Sequence, residues 1–533
     1  MDDYRYSNVL EDEEEEEQEE EFACSGEESD VGVICKGLPG FVYSPPVETV
    51  CFGWGVNEDG QLGLVNDSFD DVLTPKVIEG LLGTRFRGRR FGASPIVAGS
   101  RNTMAVTADG QVYSWGWNDR ATLGQGHQEC MPKPRKIMGL QGVHVVQVAV
   151  GGWHALAVDV DGQCWAWGGN EYNQCDAEPG TRDLLQPQKC VTNLKVVQVD
   201  AGGMHSVALT DNGQIWMWGE QWGDFSMTVN RAPKRIDSTG NFVRVVCGAF
   251  HNLALTSNGE MYSWGINDYG QLGNGTTSNM TVPTLIQEGF FGVKVSDIAA
   301  GGWHSLAITE DGEVYVWGRG EHGRLGLGDP AGASRLRPTK VEGLEGLRIV
   351  EASCGGTHTV VVTDEGRVLI WGRGSFGRLG TGTEKDYVSP VEVKLPGGTD
   401  RWWVVCAAAG GRHTMALAVP DNGDLDNTNS IWSRRLESQQ SLSAKTSIDL
   451  DKMGSVSVPG SAQGSTSKNK NAWSNSAHAD DADADDEEDE ELQQDTDDIQ
   501  GRTSSEADKE YMDLISKKLV LDALDSEAAE DDD

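Results

Sequence analysis

The chain has 533 residues and a formal net charge of −41, with 84 acidic against 43 basic side chains. That balance argues against direct DNA binding, because phosphate contacts need clustered Lys and Arg. No apolar run approaches the length of a bilayer span, no apolar leader opens the chain, and the ten Cys residues form no C-x-x-C pair, so the composition points to a cytoplasmic or nuclear setting rather than secretion or a membrane.

Residues 1 to 44 carry 15 acidic and two basic side chains, and the run Glu11 to Glu21 repels itself, which predicts a disordered arm. Phe41 to Pro46 lead into a first strand at Cys51 to Trp54. From there to about residue 420 one unit recurs. Trp-Gly stands at Trp54, Trp115, Trp167, Trp218, Trp264, Trp317 and Trp371, spaced 46 to 61 residues apart. Thirteen positions before five of these lie His154, His205, His251, His304 and His358, whereas Asn102 precedes Trp115. His413 has no following Trp and Trp54 has no preceding His, so the two half-units complement each other.

Between His and Trp the apolar residues alternate with period two around Asp109-Gly110, Asp161-Gly162, Asn212-Gly213, Asn258-Gly259 or Asp311-Gly312, the pattern of a β-hairpin. A repeat of about 50 residues built from short strands predicts a β-propeller. Seven Trp-Gly hairpins predict an all-β, seven-bladed propeller over residues 45 to 420, with the strand at Cys51 to Trp54 pairing with His413 to Ala418 so that no sheet edge is left bare. The repeated His residues, one per blade, read as buried hydrogen-bonding struts within their own blades rather than a metal or acid-base set.

Three loops depart from the pattern. Arg85 to Arg90 form a basic cluster that reads as a solvated insertion rather than a targeting signal. After Trp167 the expected Gly-Gln-Leu-Gly is replaced by a stretch containing Asp176, Glu178, Arg182 and Asp183, and after Trp218 by one containing Trp222, Asp224, Phe225 and Met227. Equivalent repeat positions place both loops on one face of adjacent blades, and large apolar residues beside charges resemble the composition of an interface, which makes these eight residues the candidate partner contacts.

Beyond the repeats, residues 421 to 505 read as a polar linker followed by the acidic block Asp480 to Glu491. Residues 506 to 524 place Met512, Ile515, Leu519 and Ala523 at helical spacing, an amphipathic helix too short to be stable alone, and residues 525 to 533 are an acidic tail. The ends hold 30 of the 41 net negative charges and read as solubilising tails or contacts for basic proteins such as histones. Gly318 to Gly323 and Gly372 to Gly377 match G-x-G-x-x-G but open no predicted helix, and no P-loop, H-E-x-x-H or G-x-S-x-G occurs, so the sequence suggests no cofactor, metal or catalytic site.

Gly-Gly-x-His, the Asp-Gly turn, Trp-Gly and then Gly-Gln-Leu-Gly or Gly-Arg-Leu-Gly (Gly60 to Gly63, Gly270 to Gly273, Gly323 to Gly326, Gly377 to Gly380) resemble the repeats of the regulator of chromosome condensation superfamily, most like its plant and green-algal members. The resemblance implies a seven-bladed propeller and, from the founding member, guanine-nucleotide exchange on the Ran GTPase through one face, with the loop from Asp176 to Asp183 as a candidate wedge. The acidic N-terminal arm departs from the basic tail of chromatin-bound relatives. An ultraviolet-B photoreceptor of the superfamily carries Gly-Trp-Arg-His-Thr in successive repeats. Here the matching positions are Trp153, Met204, Phe250, Trp303, Thr357 and Arg412, with no Arg after either Trp, so the indoles are expected to stand apart and to lack cationic neighbours. Taken together, the sequence predicts a non-enzymatic scaffold that binds proteins, with exchange on a small GTPase as the alternative and photoreception behind both.

Overall fold

The computed structural model describes residues 49–421 apart from 65–68, 88–92, 221–230, 239, 288, 291 and 399–400. The acidic arm, the linker, the helical segment at 506–524 and the tail lie outside the described residues.

Strands β1 (Val50–Gly55) and β2 (Val72–Val77) begin a sheet that the chain finishes only at its other end. Six complete four-stranded antiparallel blades intervene. Blade 2 holds β3 (Ile96–Ala98), β4 (Asn102–Val106), β5 (Val112–Gly116) and β6 (Met131–Lys136); blade 3 holds β7 (Val145–Val150), β8 (His154–Asp159), β9 (Cys164–Gly169) and β10 (Asp183–Cys190). Blade 4 holds β11 (Val196–Ala201), β12 (His205–Thr210), β13 (Ile215–Gly219) and β14 (Lys234–Arg235); blade 5 holds β15 (Phe242–Cys247), β16 (His251–Thr256), β17 (Met261–Gly265) and β18 (Met280–Leu285). Blade 6 holds β19 (Val295–Ala300), β20 (His304–Thr309), β21 (Val314–Gly318) and β22 (Arg335–Lys340); blade 7 holds β23 (Ile349–Cys354), β24 (His358–Thr363), β25 (Val368–Gly372) and β26 (Tyr387–Val393). Strands β27 (Trp402–Ala409) and β28 (His413–Pro420) complete blade 1, with Trp54 opposite Thr414 and Gly55 opposite His413. The two half-units pair as the repeat count demands, and the ring closes.

The repeat motifs are the fasteners between blades. All seven Trp residues of the Trp-Gly pairs are at most 1 % exposed. Apart from Trp264, each lies against the loop of the preceding blade, where Trp167 donates from Nε1 to the Thr122 carbonyl at 2.7 Å, Trp317 to Gln271 at 2.8 Å and Trp371 to Arg324 at 3.0 Å. The last Gly of Gly-Gln-Leu-Gly is the seat for that indole: a Cβ on Gly273 would lie 2.7 Å from Trp317 Nε1, and one on Gly326 2.7 Å from Trp371 Nε1. Two motifs far apart in a repeat are thus the halves of one contact between neighbouring blades.

The His residues do the same from inside, and here the structure corrects the expectation of a strut within one blade. His154 Nε2 reaches Ser206 Oγ at 2.8 Å, His205 reaches Asn252 Oδ1 at 2.8 Å, His251 reaches Ser305 at 2.8 Å, and His304, His358 and His413 reach Thr359, Thr414 and Thr103 at 2.9 Å, in every case in the following blade. The hydroxyls donate onward to loop carbonyls, as Ser206 does to Gln174 and Thr414 to Arg378. A hydroxyl has one proton to give, and the Asn252 amide oxygen can only accept, so each His is the donor, from Nε2. The strut crosses the seam because the side chain on the second strand points at its neighbour's second strand, not along its own sheet.

The first strand of each blade lines a central channel. Its walls are tied by side chains that imitate strand pairing: Gln147 bonds the Val199 carbonyl at 2.7 Å, Gln198 the Val245 carbonyl at 2.9 Å, and Asp200 accepts from Cys247 N at 2.8 Å.

Candidate functional site

In a four-stranded meander the connections from first to second and from third to fourth strand emerge at the same end. One face of the ring therefore carries both the residue before each His and the long loops after each Trp-Gly. Blades 2 and 3 meet there through two half-buried indoles, Trp117 and Trp153, packed edge-on with ring centroids 5.4 Å apart. Arg101 stacks over Trp117 at 5.6 Å and Arg120 over Trp153 at 5.7 Å. Each guanidinium is held by carboxylates: Arg101 by Asp59 at 2.7 Å and Glu58 at 2.9 Å, Arg120 by Asp183 and Glu171, both at 3.0 Å. Burial works against the charge on Arg120, yet Glu171 and Asp183 keep its pKa above the ordinary arginine value.

For Trp153 this corrects the expectation of an indole without a cationic neighbour: Arg120 comes from the loop of the preceding blade, so no Arg needs to follow this Trp in sequence. Further round the same face Tyr172, Met204, Phe250 and Trp303 form an apolar cluster against which Trp153 packs, with Phe250 and Trp303 centroids 4.7 Å apart and Tyr269 against Trp303 at 5.3 Å. Arg319 stacks over Tyr269 at 4.5 Å and Arg231 over Tyr172 at 5.1 Å. Aromatic rings and Arg are the residue types enriched at protein-recognition surfaces.

The loop carrying Asp176, Glu178, Arg182 and Asp183 divides into two pairs. Asp176 is half-buried, its carboxylate accepting from Val191 N at 3.0 Å, and burial raises its pKa. Asp183 opens β10 and holds Arg120. Glu178 is exposed, and Arg182 reaches Glu171 at 2.8 Å with 71 % of its side chain still exposed. The divergent sequence nevertheless follows the regular path. Asn170 Oδ1 accepts from Cys175 N at 2.9 Å just as Asn118 does from Leu123 N and Asn267 from Leu272 N, and Asn173 (φ 61°) and Asp176 (φ 50°) adopt the left-handed backbone that Gly60 and Gly63 adopt elsewhere. The segment is anchored at both ends, with Glu178 to Gly180 exposed between them.

Trp222, Asp224, Phe225 and Met227 lie outside the described residues. The neck of their loop is described: buried Glu220 holds Arg231 at 3.0 Å, and Gly219 N donates to the Arg231 carbonyl at 3.0 Å. The loop therefore leaves the ring beside Tyr172, on the face just described. Of the basic cluster, Arg85 is exposed, Phe86 is buried, and Arg87 donates to His144 Nε2 at 2.8 Å, so this side chain is committed to a contact rather than solvated; Gly88 to Arg90 lie outside the described residues.

Burial lowers the pKa of His154, His251 and His413 to about 3 and of His205 to about 4, which keeps them neutral at physiological pH. Among the described residues no group of three or more His, Cys, Asp or Glu side chains is arranged to hold a metal ion, and no helix is long and apolar enough to cross a membrane. The two G-x-G-x-x-G stretches run from β21 and β25 into surface loops that return as antiparallel strands.

The family model described as RCC1-like domain matches residues 50–416. The ultraviolet-B receptor UVR8 of Arabidopsis thaliana is 34 % identical over 357 residues, covering 65 % of this chain and 78 % of the receptor. The human E3 ubiquitin-protein ligase HERC2 is 30 % identical over 381 residues, covering 69 % of this chain but only 8 % of the ligase. Among solved structures, Prp20p of Saccharomyces cerevisiae, described together with its binding to Gsp1p and histones, is similar with a TM-score of 0.62 at 24 % identity, covering 76 % of this chain and 96 % of Prp20p. At that identity the likeness speaks to the fold alone.

Proposed function

For a chain that belongs to the RCC1-like domain family, we propose a non-enzymatic role as a propeller that binds protein partners through the face carrying Trp117, Trp153 and their arginines. The observation that carries this reading is the Trp117–Trp153 pair, half-buried and flanked by two guanidiniums that carboxylates already hold in place. Aromatic and Arg side chains fixed before binding lose little entropy on association, which is what makes them energetic anchors. Trp222 and Phe225, in the segment that follows Glu220 on this face, are further candidate contacts by their composition. The acidic segments at residues 1–44 and 480–491 act as solubilising tails or contacts for basic proteins, and the protein works in the cytoplasm or nucleus.

The test is affinity capture with the full chain beside its Trp117→Ala/Trp153→Ala variant. Partners retained by the native chain and lost by the variant, at matched secondary structure, support the reading. Equal recovery by both removes this face from consideration.

Exchange on a small GTPase is the second reading, favoured by the resemblance to Prp20p, which is described as binding Gsp1p. Photoreception stands third. It gains one specific observation, the arginine-flanked indole pair, but Met204 and Phe250 occupy two of the three positions that follow Trp153 in the repeat order.

A further inference from the structure

Six of the seven seams between blades share two inner fasteners. One is the His strut. The other is a ring of backbone bonds at the mouth of the channel: Gly152 N to Gly202 O, Gly203 N to Ala249 O, Ala249 N to Gly301 O, Gly302 N to Gly355 O, Gly356 N to Gly410 O and Gly411 N to Gly99 O, between 2.9 and 3.2 Å. Among the described residues the seam between blades 2 and 3 has neither. Asn102 replaces His and faces Ala155 in place of a hydroxyl, the buried Asn102 Oδ1 finds no hydrogen-bond partner, and no bond joins Ser100 N to the Gly151 carbonyl.

The sequence supplies the cause. The first strands end in Ala98, Ala201, Cys247, Ala300, Cys354 and Ala409, all small, but β7 ends in the branched Val150. At other seams the nearest atom to a Cβ built on the first Gly is often the next blade's carbonyl oxygen, as for Gly151 against Gly202 O at 2.2 Å. At Gly99 the next blade instead presents Val150 Cγ1, at 2.6 Å. A branched side chain occupies the space where the backbones elsewhere come together.

The polar contacts that cross this seam lie toward the outside. Arg120 of blade 2 reaches over to Glu171, Asp183 and the Trp153 ring of blade 3, Trp117 packs on Trp153, and on the opposite face Arg87 bonds His144 Nε2 at 2.8 Å and approaches the Val145 carbonyl at 3.4 Å. Thr122 and Trp167 add bonds beneath the face, and Met104 and Val106 join the apolar cluster of blade 3.

We propose that the ring opens first between blades 2 and 3, and that the Arg120 cluster is the latch that holds this seam shut from the surface. The inference rests on the fold and not on the partner reading. Its consequence is that the latch lies on the face proposed for partners, so the ring is least secure where a ligand would touch it.

Hydrogen exchange of the full chain, followed by peptide mass spectrometry, tests this. Amides of β3, β4, β7 and β8 should exchange at least tenfold faster than those of the corresponding strands of blades 1 and 4 to 7. Arg120→Ala should accelerate exchange there and leave the other seams unchanged. Asn102→His combined with Ala155→Ser should install the missing strut and slow exchange at this seam alone. Val150→Ala, a milder change should that pair fail to fold, should slow it likewise. Uniform exchange at all seven seams, or Arg120→Ala acting equally around the ring, would overturn the proposal.

Discussion

His304 donates from Nε2 to Thr359 Oγ1 of the next blade at 2.9 Å, and Thr359 donates onward to the Arg324 carbonyl at 2.9 Å. The relay fixes the protonation state: a second proton on the imidazole would have to sit at the buried Nδ1. Burial accordingly depresses all six strut histidines, His304 and His358 well below the ordinary value. The unfolded chain then takes up protons first, so stability is complete above about pH 6.5 and is lost as the pH falls toward the folded values of 3 to 4. All six histidines act in the same direction, so their losses add as the pH falls through that window. Asp200, raised to about 6 by burial, acts with the opposite sign between about pH 6 and 4, but it is one group against six. Thermal melting should therefore fall steeply between pH 6.5 and 5; a midpoint constant to pH 4.5 would show that the struts do not behave as neutral buried groups.

Thr359→Val removes the middle of this relay, leaving the His304 N–H facing a methyl group and the Arg324 carbonyl with Trp371 Nε1 as donor. The orphaned buried N–H should destabilise the ring by about 1 to 3 kcal/mol in chemical denaturation. Thr363→Val on the same strand removes only the bond that Thr363 Oγ1 accepts from Arg367 N in a hairpin turn and should cost less. A larger loss for Thr363→Val than for Thr359→Val would contradict the assignment.

Glycines of the repeat should not be equivalent. Gly273 has φ 70° and seats Trp317, whereas Gly142 has φ 80° with nothing within 4 Å of a Cβ. Gly142→Ala should cost only the backbone strain, about 1 to 2 kcal/mol. Gly273→Ala adds displacement of a buried indole and should cost about 3 kcal/mol or more. Denaturation midpoints of the two variants give the comparison directly.

The ring itself is legible in the sequence because each blade repeats the same signals: Trp-Gly, the hairpin turn, and the complementary half-units at Trp54 and His413. The reach of each His across a seam is not, since its partner lies 47 to 56 residues later, or 310 earlier for His413. A signal was present all the same: the residue after each His is Ser, Thr or Asn except Ala155, and it is the preceding blade that carries Asn102 instead of His. Trp117 stands out as a second indole after a Trp-Gly, but that Arg120 would cover Trp153 depends on the twist between blades. The left-handed positions at Asn173 and Asp176 hid a regular loop beneath irregular residues.

Within that loop, exposure separates two kinds of side chain. Asp183→Ala takes from Arg120 one of its two carboxylates and should lower stability by about 2 kcal/mol. Arg182→Ala removes a mostly exposed side chain and should shift stability by no more than about 0.5 kcal/mol, so any change in partner affinity reports a contact. A stability loss for Arg182→Ala as large as that for Asp183→Ala would invert this division.

The most direct test of a binding role without exchange is release of a fluorescent guanine nucleotide from Ran, and then from a panel of small GTPases, with and without the full chain. The account predicts release at the intrinsic rate throughout. Acceleration of many-fold by the native chain would contradict it and establish the exchange reading in its place.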